Sequence, residues 1–135
     1  MKLFLGEYDH TLDDRGRVTL PRKIRAEIEE RELILAKGFD PCMFGFDKTS
    51  WEHEAAKHLE SPVTDEGGRK LRRYLFSSAE KVEIDKLGRI LLPAQLKEYA
   101  GVAKEVVVIG AGDHFEIWDK ARWKEYERIS YTSNA

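Results

Sequence analysis

The chain has 135 residues, of which 41% are hydrophobic and 10% aromatic, so it is of single-domain size and can bury one core. A charged fraction of 36% with a formal net charge of −2 excludes a disordered polar tail, because the charges alternate with regular apolar runs, but this balance identifies no partner. The single cysteine, Cys42, excludes an intramolecular disulfide, and no apolar run is long enough for a membrane helix.

The N-terminal segment MKLFLGEYDH lacks the long apolar stretch and cleavage site of a signal peptide, so we expect a cytoplasmic protein. Residues 5–12 and 17–20 predict two strands that flank a tight turn as a hairpin, because Gly16 can adopt the positive φ that such turns require. Pro21 then predicts the end of the second strand and the start of a short helix with Ile24 and Ile28 on its apolar side.

Residues 33–37 and 43–46 predict a second hairpin, which leads into a helix capped by Asp47. Phe46 and Trp51 have the spacing of a hydrophobic staple across the start of that helix, and this packing role explains the tryptophan. A break at Pro62 precedes a helix that should start near Thr64. Its predicted buried face consists of Leu71, Tyr74 and Leu75.

The second half of the chain repeats the first. LDDRGRVTLP at residues 12–21 matches IDKLGRILLP 72 positions later, and FDKTSW at residues 46–51 matches WDKARW at the same offset. The strand-like runs ELILAKG and EVVVIGAG also correspond, with a gap of one residue. The second copy therefore predicts a turn at Gly88, a helix after Pro93 with Leu96 and Ala100 buried, strands at 106–109 and 115–118, and a helix capped by Asp119 with a Trp118/Trp123 staple.

The repeat predicts how the chain folds. Each copy has too few strands to cover its own apolar face, so the two copies should interleave. We expect an α+β fold, a single pseudo-two-fold swapped-hairpin β-barrel made of two interleaved β-α-β repeats with flanking helices. Residues 1–62 form the first repeat with its following helix, and residues 63–135 the linker helix, the second repeat and the C-terminal helix, as one integrated unit.

The first turn carries a local excess of positive charge in a chain that is close to neutral. Arg15 and Arg17 in the turn are followed by three basic residues in the helix, against two acids, Asp13 and Asp14. An arginine on a rigid turn can contact a guanine edge or clamp a phosphate, and a carboxylate four residues earlier can hold its side chain in position. An ordinary surface ion pair that braces the turn is the alternative. The second turn is poorer in charge, so we expect the first turn to dominate affinity.

With these residues in view, the sequence resembles the MraZ family of bacterial transcriptional regulators, which are built from two AbrB-like repeats. The stretches that carry the resemblance are LDDRGRVTLP, IDKLGRILLP, RKLRRYLFS and EVVVIGAGDHFEIWDKARW, and it spans essentially the whole chain. The resemblance implies a nucleoid-associated protein that forms closed rings. It also implies binding to double-stranded DNA at short promoter repeats of the division and cell-wall gene cluster, most often as a repressor.

The family's D-x-x-x-R element maps onto Asp13 with Arg17 and onto Asp85 with Arg89. On this interpretation the two arginines contact DNA, the two aspartates orient them, and glycines shape the turns. Further basic residues attract phosphates. The complete predicted DNA-binding set is Asp13, Arg15, Gly16, Arg17, Arg22, Lys23, Asp85, Lys86, Gly88 and Arg89.

Two other classes of protein compete with this interpretation. An enzyme is disfavoured because the four histidines show no HExxH or C-x-x-C context, so we expect no catalysis, no cofactor, no metal and no small-molecule substrate. An oligomeric scaffold whose arginines make subunit contacts instead of DNA contacts remains an alternative, and salt-dependent DNA binding would distinguish the two. The basic cluster at residues 69–73 has the composition of a solvated helix face, although DNA contact there stays open.

Overall fold

The computed structural model describes residues 2–132, so residue 1 and residues 133–135 of the two predicted domain ranges lie outside the described part. The strands are β1 (Glu7–Thr11), β2 (Arg17–Thr19), β3 (Glu32–Lys37), β4 (Met43–Phe46), β5 (Glu80–Glu83), β6 (Arg89–Leu91), β7 (Glu105–Gly110) and β8 (Phe115–Asp119). The helices are α1 (Arg22–Arg25), α2 (Lys48–Leu59), α3 (Glu66–Ser78), α4 (Ala94–Ala100) and α5 (Lys120–Thr132).

Six strands form one antiparallel sheet in the order β1-β7-β8-β4-β3-β5. This order is symmetric under exchange of the two repeats, because β1, β3 and β4 of the first correspond to β5, β7 and β8 of the second. The central pair, β4 with β8, joins the two copies, and so do the outer pairs β1 with β7 and β3 with β5. The α+β class and the predicted interleaving of the copies are therefore present.

The two remaining strands, β2 and β6, form a separate antiparallel ladder with the same symmetry. Val18 lies opposite Ile90 at its centre, Arg17 lies opposite Leu91, and Arg89 lies opposite Thr19. Val18 and Ile90 are completely buried, which leaves the other ladder residues on the outward face. The ladder therefore brings the two predicted turns onto one side of the molecule.

The closed barrel predicted from the sequence is wrong, because β1 and β5 end the six-stranded sheet at its two edges. The strands that would have to bridge these edges, β2 and β6, have three residues each and pair with one another. For the same reason β1 and β2 do not form the predicted hairpin ladder: β1 pairs with β7, and only the turn between the two strands is hydrogen-bonded locally.

The helices confirm most of the local predictions. Asp47 accepts a hydrogen bond from the backbone N–H of Ser50 at 3.0 Å, and the Phe46 and Trp51 rings pack 5.3 Å apart. In the second copy the Trp118 and Trp123 rings lie 5.2 Å apart. The linker helix begins at Glu66 after Asp65, slightly later than predicted.

One predicted core residue of the linker helix is misplaced. Leu75 is buried, Tyr74 is half-buried, but Leu71 is exposed. The main core instead lies between the sheet, the β2/β6 ladder and the short helices, where Ile24 and Leu96 occupy equivalent positions. No helix within residues 2–132 has the length and apolar character needed to span a membrane.

Candidate nucleic-acid interface

The first turn is organised by one carboxylate. Asp13 Oδ1 accepts hydrogen bonds from the backbone N–H groups of Arg15 at 2.9 Å and Arg17 at 2.8 Å. Its other oxygen, Oδ2, accepts from the side-chain Nε of Arg17 at 2.8 Å. Gly16 closes the turn with φ +80°, donating its N–H to the Asp13 carbonyl at 3.0 Å. The carboxylate therefore fixes both the backbone of the turn and the direction of the Arg17 guanidinium.

The second turn has the same geometry although two of its five residues differ. Asp85 Oδ1 accepts from the backbone N–H groups of Leu87 and Arg89, both at 2.9 Å, and Oδ2 accepts from Arg89 Nε at 2.8 Å. Gly88 has φ +78°. Every bond is reproduced with a different pair of residues between the aspartate and the glycine, so the shared aspartate, glycine and arginine account for the geometry of the turn.

Both carboxylates are held ionised by these contacts. Hydrogen bonding from the backbone N–H of Arg17, with further bonds from the Arg17 side chain and the Arg15 backbone, lowers the pKa of Asp13 to about 2. The equivalent bond from the Arg89 backbone is the main cause that lowers the pKa of Asp85. At neutral pH each arginine therefore faces a full negative charge on its Nε side.

The hydrogen-bonding ends of the two arginines remain available. Within residues 2–132, the terminal nitrogens Nη1 and Nη2 of Arg17 and Arg89 have no hydrogen-bond partner, although the side chains are only 26% and 28% exposed. Because only Nε is occupied, Nη1 and Nη2 of each guanidinium can still form a two-pronged contact, as in pairing with the O6 and N7 atoms of guanine or with two phosphate oxygens.

The two turns are coupled through the β2/β6 ladder. Leu20 donates its N–H to the carbonyl of Gly88 at 2.9 Å, and Leu92 donates to the carbonyl of Gly16 at 3.1 Å. Arg17 and Arg89 are diagonal neighbours in this ladder, a relation that places backbone positions about 7 to 8 Å apart. The two arginines thus form one rigid pair instead of two independent sites.

Basic residues of the second copy flank the first turn. Lys97 of α4 and Lys104 line a hollow with Asp13, Asp14 and Gly16. A Cβ atom placed on Gly16 would lie 2.9 Å from Lys97 Nζ, so the ammonium group sits directly against the turn. The sequence interpretation missed these two lysines because it assigned the charge around each turn to the copy that contains the turn.

The second turn is flanked in the same way by the first copy. Arg22 and Arg25 of α1 line a hollow with Leu87 and Gly88. Arg31 lines a neighbouring hollow that also contains Lys86 and Asp85. The charge-rich helix that follows the first turn therefore lies beside the second turn, so basic residues line hollows next to both turns. The expected dominance of the first turn in affinity stays a prediction.

A signal for these flanking residues was present in the sequence. Arg25 and Lys97 occupy equivalent repeat positions, and Arg31 and Lys104 become equivalent once the one-residue gap is included. The backbone confirms the second pair, since Arg31 O accepts from Ile84 N and Lys104 O accepts from Leu12 N, both at 2.8 Å. A basic residue at the same place in both copies indicates a shared surface.

The remaining basic residues of the predicted DNA-binding set lie on the protein surface. Arg15, Arg22, Lys23 and Lys86 are all exposed, although Arg15 and Lys23 line none of the three hollows described above. The basic cluster at 69–73 is structurally occupied in part: Arg69 donates to the Val63 carbonyl and Arg72 to that of Leu59. These bonds brace the connection between α2 and α3.

Metal-ligating side chains do not converge anywhere in residues 2–132: no group of three or more histidine, cysteine, aspartate or glutamate side chains has the arrangement of a metal site. Cys42 is buried, and burial raises the pKa of its thiol well above the usual range, which suppresses its reactivity.

Comparison with known proteins covers both turns. The family model described as "MraZ protein, putative antitoxin-like" matches residues 3–74 and 75–134. A protein of Acetivibrio thermocellus named "Transcriptional regulator MraZ" is 44% identical over 124 residues, which cover 92% of this chain and 86% of the relative. The likeness thus extends across both repeats and the linker helix.

Proposed function

The chain belongs to the MraZ family, and on that premise we propose that it is a transcriptional regulator that binds double-stranded DNA through its two turns. The observation that carries this proposal is the pair of arginines whose Nε atoms are held by Asp13 and Asp85 while their terminal nitrogens stay available. Two such forks on one rigid ladder match the donor geometry that reads base edges or clamps phosphates.

Each of the other residues has a distinct part in this proposal. Gly16 and Gly88 give the turns their shape through their positive φ angles. Exposed and half-buried basic residues around the turns supply the sequence-independent attraction to phosphates that fixes the protein on the duplex. They comprise the predicted Arg15, Arg22, Lys23 and Lys86 together with Arg25, Arg31, Lys97 and Lys104, which the structure adds.

The finer part of the proposal concerns the target and the assembly. We propose a cytoplasmic, nucleoid-associated repressor of the division and cell-wall gene cluster that binds short tandem promoter repeats as a closed ring. One ladder offers few base contacts, so its affinity for DNA should be much weaker than that of specific regulators, which bind at about 10⁻⁸ M or tighter. Linked copies on matching repeats gain about 10²- to 10⁴-fold. Diverged faces such as Arg22-Lys23 against Ala94-Gln95 allow the head-to-tail contacts that close rings.

The test is selection of bound fragments from the organism's own genome, followed by binding to duplexes with one, two, three and four copies of the selected repeat. Affinity should rise steeply with repeat number and fall steeply with salt. Light scattering on the free protein measures the assembly. A protein that oligomerises but shows no salt-dependent binding to any duplex is the scaffold alternative, in which the arginines make subunit contacts.

A further inference from the structure

Two leucines are exposed on the otherwise charged face that carries the arginine pair. Leu87, at the tip of the second turn, is 69% exposed, and Leu91, opposite Arg17 in the β2/β6 ladder, is 55% exposed. Their equivalents in the first copy are Arg15 and Thr19. The two turns thus share a backbone and an arginine but differ in the side chains beside them.

Leu87 is held in a fixed position relative to Arg89. Its backbone N–H donates to Asp85 Oδ1 at 2.9 Å, and the Nε of Arg89 donates to the other oxygen of the same carboxylate. A leucine also loses little rotamer entropy when it is fixed, about 0.5 to 1 kcal/mol by general scales. The side chain is therefore presented outward on a rigid turn without contributing to the core.

The surroundings of Leu87 limit what it can contact. Arg22 and Arg25 line the same hollow and Lys86 precedes it in the turn, so an apolar protein partner would have to desolvate several cations. A DNA duplex instead neutralises those cations with its phosphates. The one apolar group that a duplex offers in its major groove is the 5-methyl group of thymine.

We propose that Leu87 contacts a thymine methyl group and so gives the second turn a base preference that the first turn lacks. The inference rests on the proposed DNA-binding function and deepens it. Because Leu87 and Arg89 are two residues apart across the turn, their Cα atoms are separated by at most about 7 Å, so the thymine lies within about two base pairs of the base that Arg89 contacts. The recognised repeat is therefore asymmetric, with its thymine on the side of the second turn.

The experiment combines a change in the protein with a change of one methyl group in DNA. Each thymine of the duplex selected by the wild-type protein is replaced in turn by deoxyuridine, which keeps its pairing and lacks only the methyl group. At one position the wild-type protein should lose about fourfold in affinity, the worth of about one buried methyl group. Leu87→Ala should bind the unmodified duplex more weakly by a similar factor and lose nothing further at that position.

Matched variants make the result specific. Leu59→Ala removes a leucine of comparable exposure, 55%, at the end of α2, outside the hollows around the turns, and should retain the full deoxyuridine penalty. Arg15→Ala changes the equivalent position of the first turn and should also retain it. Because Leu87 is exposed, thermal unfolding and sizing of Leu87→Ala should match those of the wild type.

The alternative outcomes separate this inference from the proposed function. If the wild-type protein binds the selected duplex but no deoxyuridine position weakens it, thymine recognition is overturned while DNA binding stands. If Leu87→Ala weakens binding yet keeps the deoxyuridine penalty, Leu87 acts as a wedge or a subunit contact and the inference is also overturned. If the wild-type protein selects no duplex, the proposed function fails and this inference fails with it.

Discussion

At the scale of single residues, the turns show how much one carboxylate can determine. Asp13 accepts three hydrogen bonds, two from the backbone and one from the Arg17 side chain, so it shapes the turn and aims the arginine simultaneously. As a partly exposed ion pair this contact would add little to stability. In the proposed function its value lies in direction, because a guanidinium already fixed on one side would lose less conformational freedom on binding DNA.

Arg17→Ala should weaken specific DNA binding by about 1 to 3 kcal/mol with the fold intact, because it removes one fork of the pair. Arg17→Lys should lose most of the same energy, since an ammonium group cannot make the two-pronged contact. Binding titrations on the selected duplex measure both. Arg128→Ala, which removes another arginine with a carboxylate partner, Glu125 on α5, is the control. Unchanged affinity in Arg17→Ala would show that this arginine does not contact DNA.

Asp13→Asn should alter stability in a defined pH range. The pKa of Asp13 is lowered to about 2 by hydrogen bonds, chiefly from the Arg17 backbone, so its ionised form stabilises the fold above the unfolded-state value near 3.8. That contribution is lost as the pH falls from about 4 towards 2. Urea midpoints of wild type and variant should differ above pH 4 and converge near pH 2. A difference that persists at pH 2 would mean that the carboxylate charge is not the cause.

At the scale of elements, the short helices act across the repeat boundary. α1 of the first copy lies beside the second turn and α4 of the second copy lies beside the first, because β2 and β6 pair with each other between them. The surroundings of each turn therefore depend on both halves of the chain. A substitution in one of these helices should therefore change the charge around the turn of the other repeat.

Lys97→Ala and Arg25→Ala should each weaken binding to all duplexes alike and reduce the salt slope by about one, because each residue supplies phosphate attraction and not base contact. The slope comes from binding constants measured at several salt concentrations on selected and scrambled duplexes. Lys57→Ala, on α2, is the matched control for a lysine outside the turns. Loss confined to the selected duplex would instead assign Lys97 or Arg25 to base recognition.

Turns and helix caps could be predicted from the sequence, whereas the pairing of distant strands could not. Gly16, Asp47 and the Trp118/Trp123 staple were predictable because turns and caps depend on neighbours within a few residues. The partner of β1 was not, since the residues of a strand do not say which strand it will pair with. Lys97 was missed for the same reason: its place beside Gly16 follows from the pairing of β2 with β6.

At the scale of the whole molecule, neither half is complete. Within residues 2–62 only β3 and β4 pair with each other. All four strands of this half also pair with a strand of the other half: β1 with β7, β2 with β6, β3 with β5 and β4 with β8. The predicted boundary between residues 62 and 63 therefore separates the two sequence repeats, but it does not separate two independently folded units. The same symmetry is what a pair of identical subunits would show if their chains were joined.

Residues 1–62 expressed alone should not form a stable monomer, because their strands expose apolar faces and unpaired edges. Sizing combined with urea denaturation should show an unfolded chain or a self-associated one. Addition of residues 63–135 should restore a cooperative transition, since the missing strands return. A monomeric half that unfolds cooperatively by itself would contradict this dependence.

The pairing of β1 with β7 also sets the order of events during synthesis. Thr11 pairs with Glu105 and Glu7 with Ile109, so the ribosome must extend the chain as far as Ile109 before the whole of β1 can find its partner. At about 5 to 20 residues per second, β1 waits for roughly 5 to 20 s. High contact order of this kind slows folding and exposes strand edges to other nascent chains. The polar sequence EYDHT of β1 and the charged EKVE of β5 suit this interval, because the charges that blunt the sheet edges in the finished protein also discourage aggregation before it is finished.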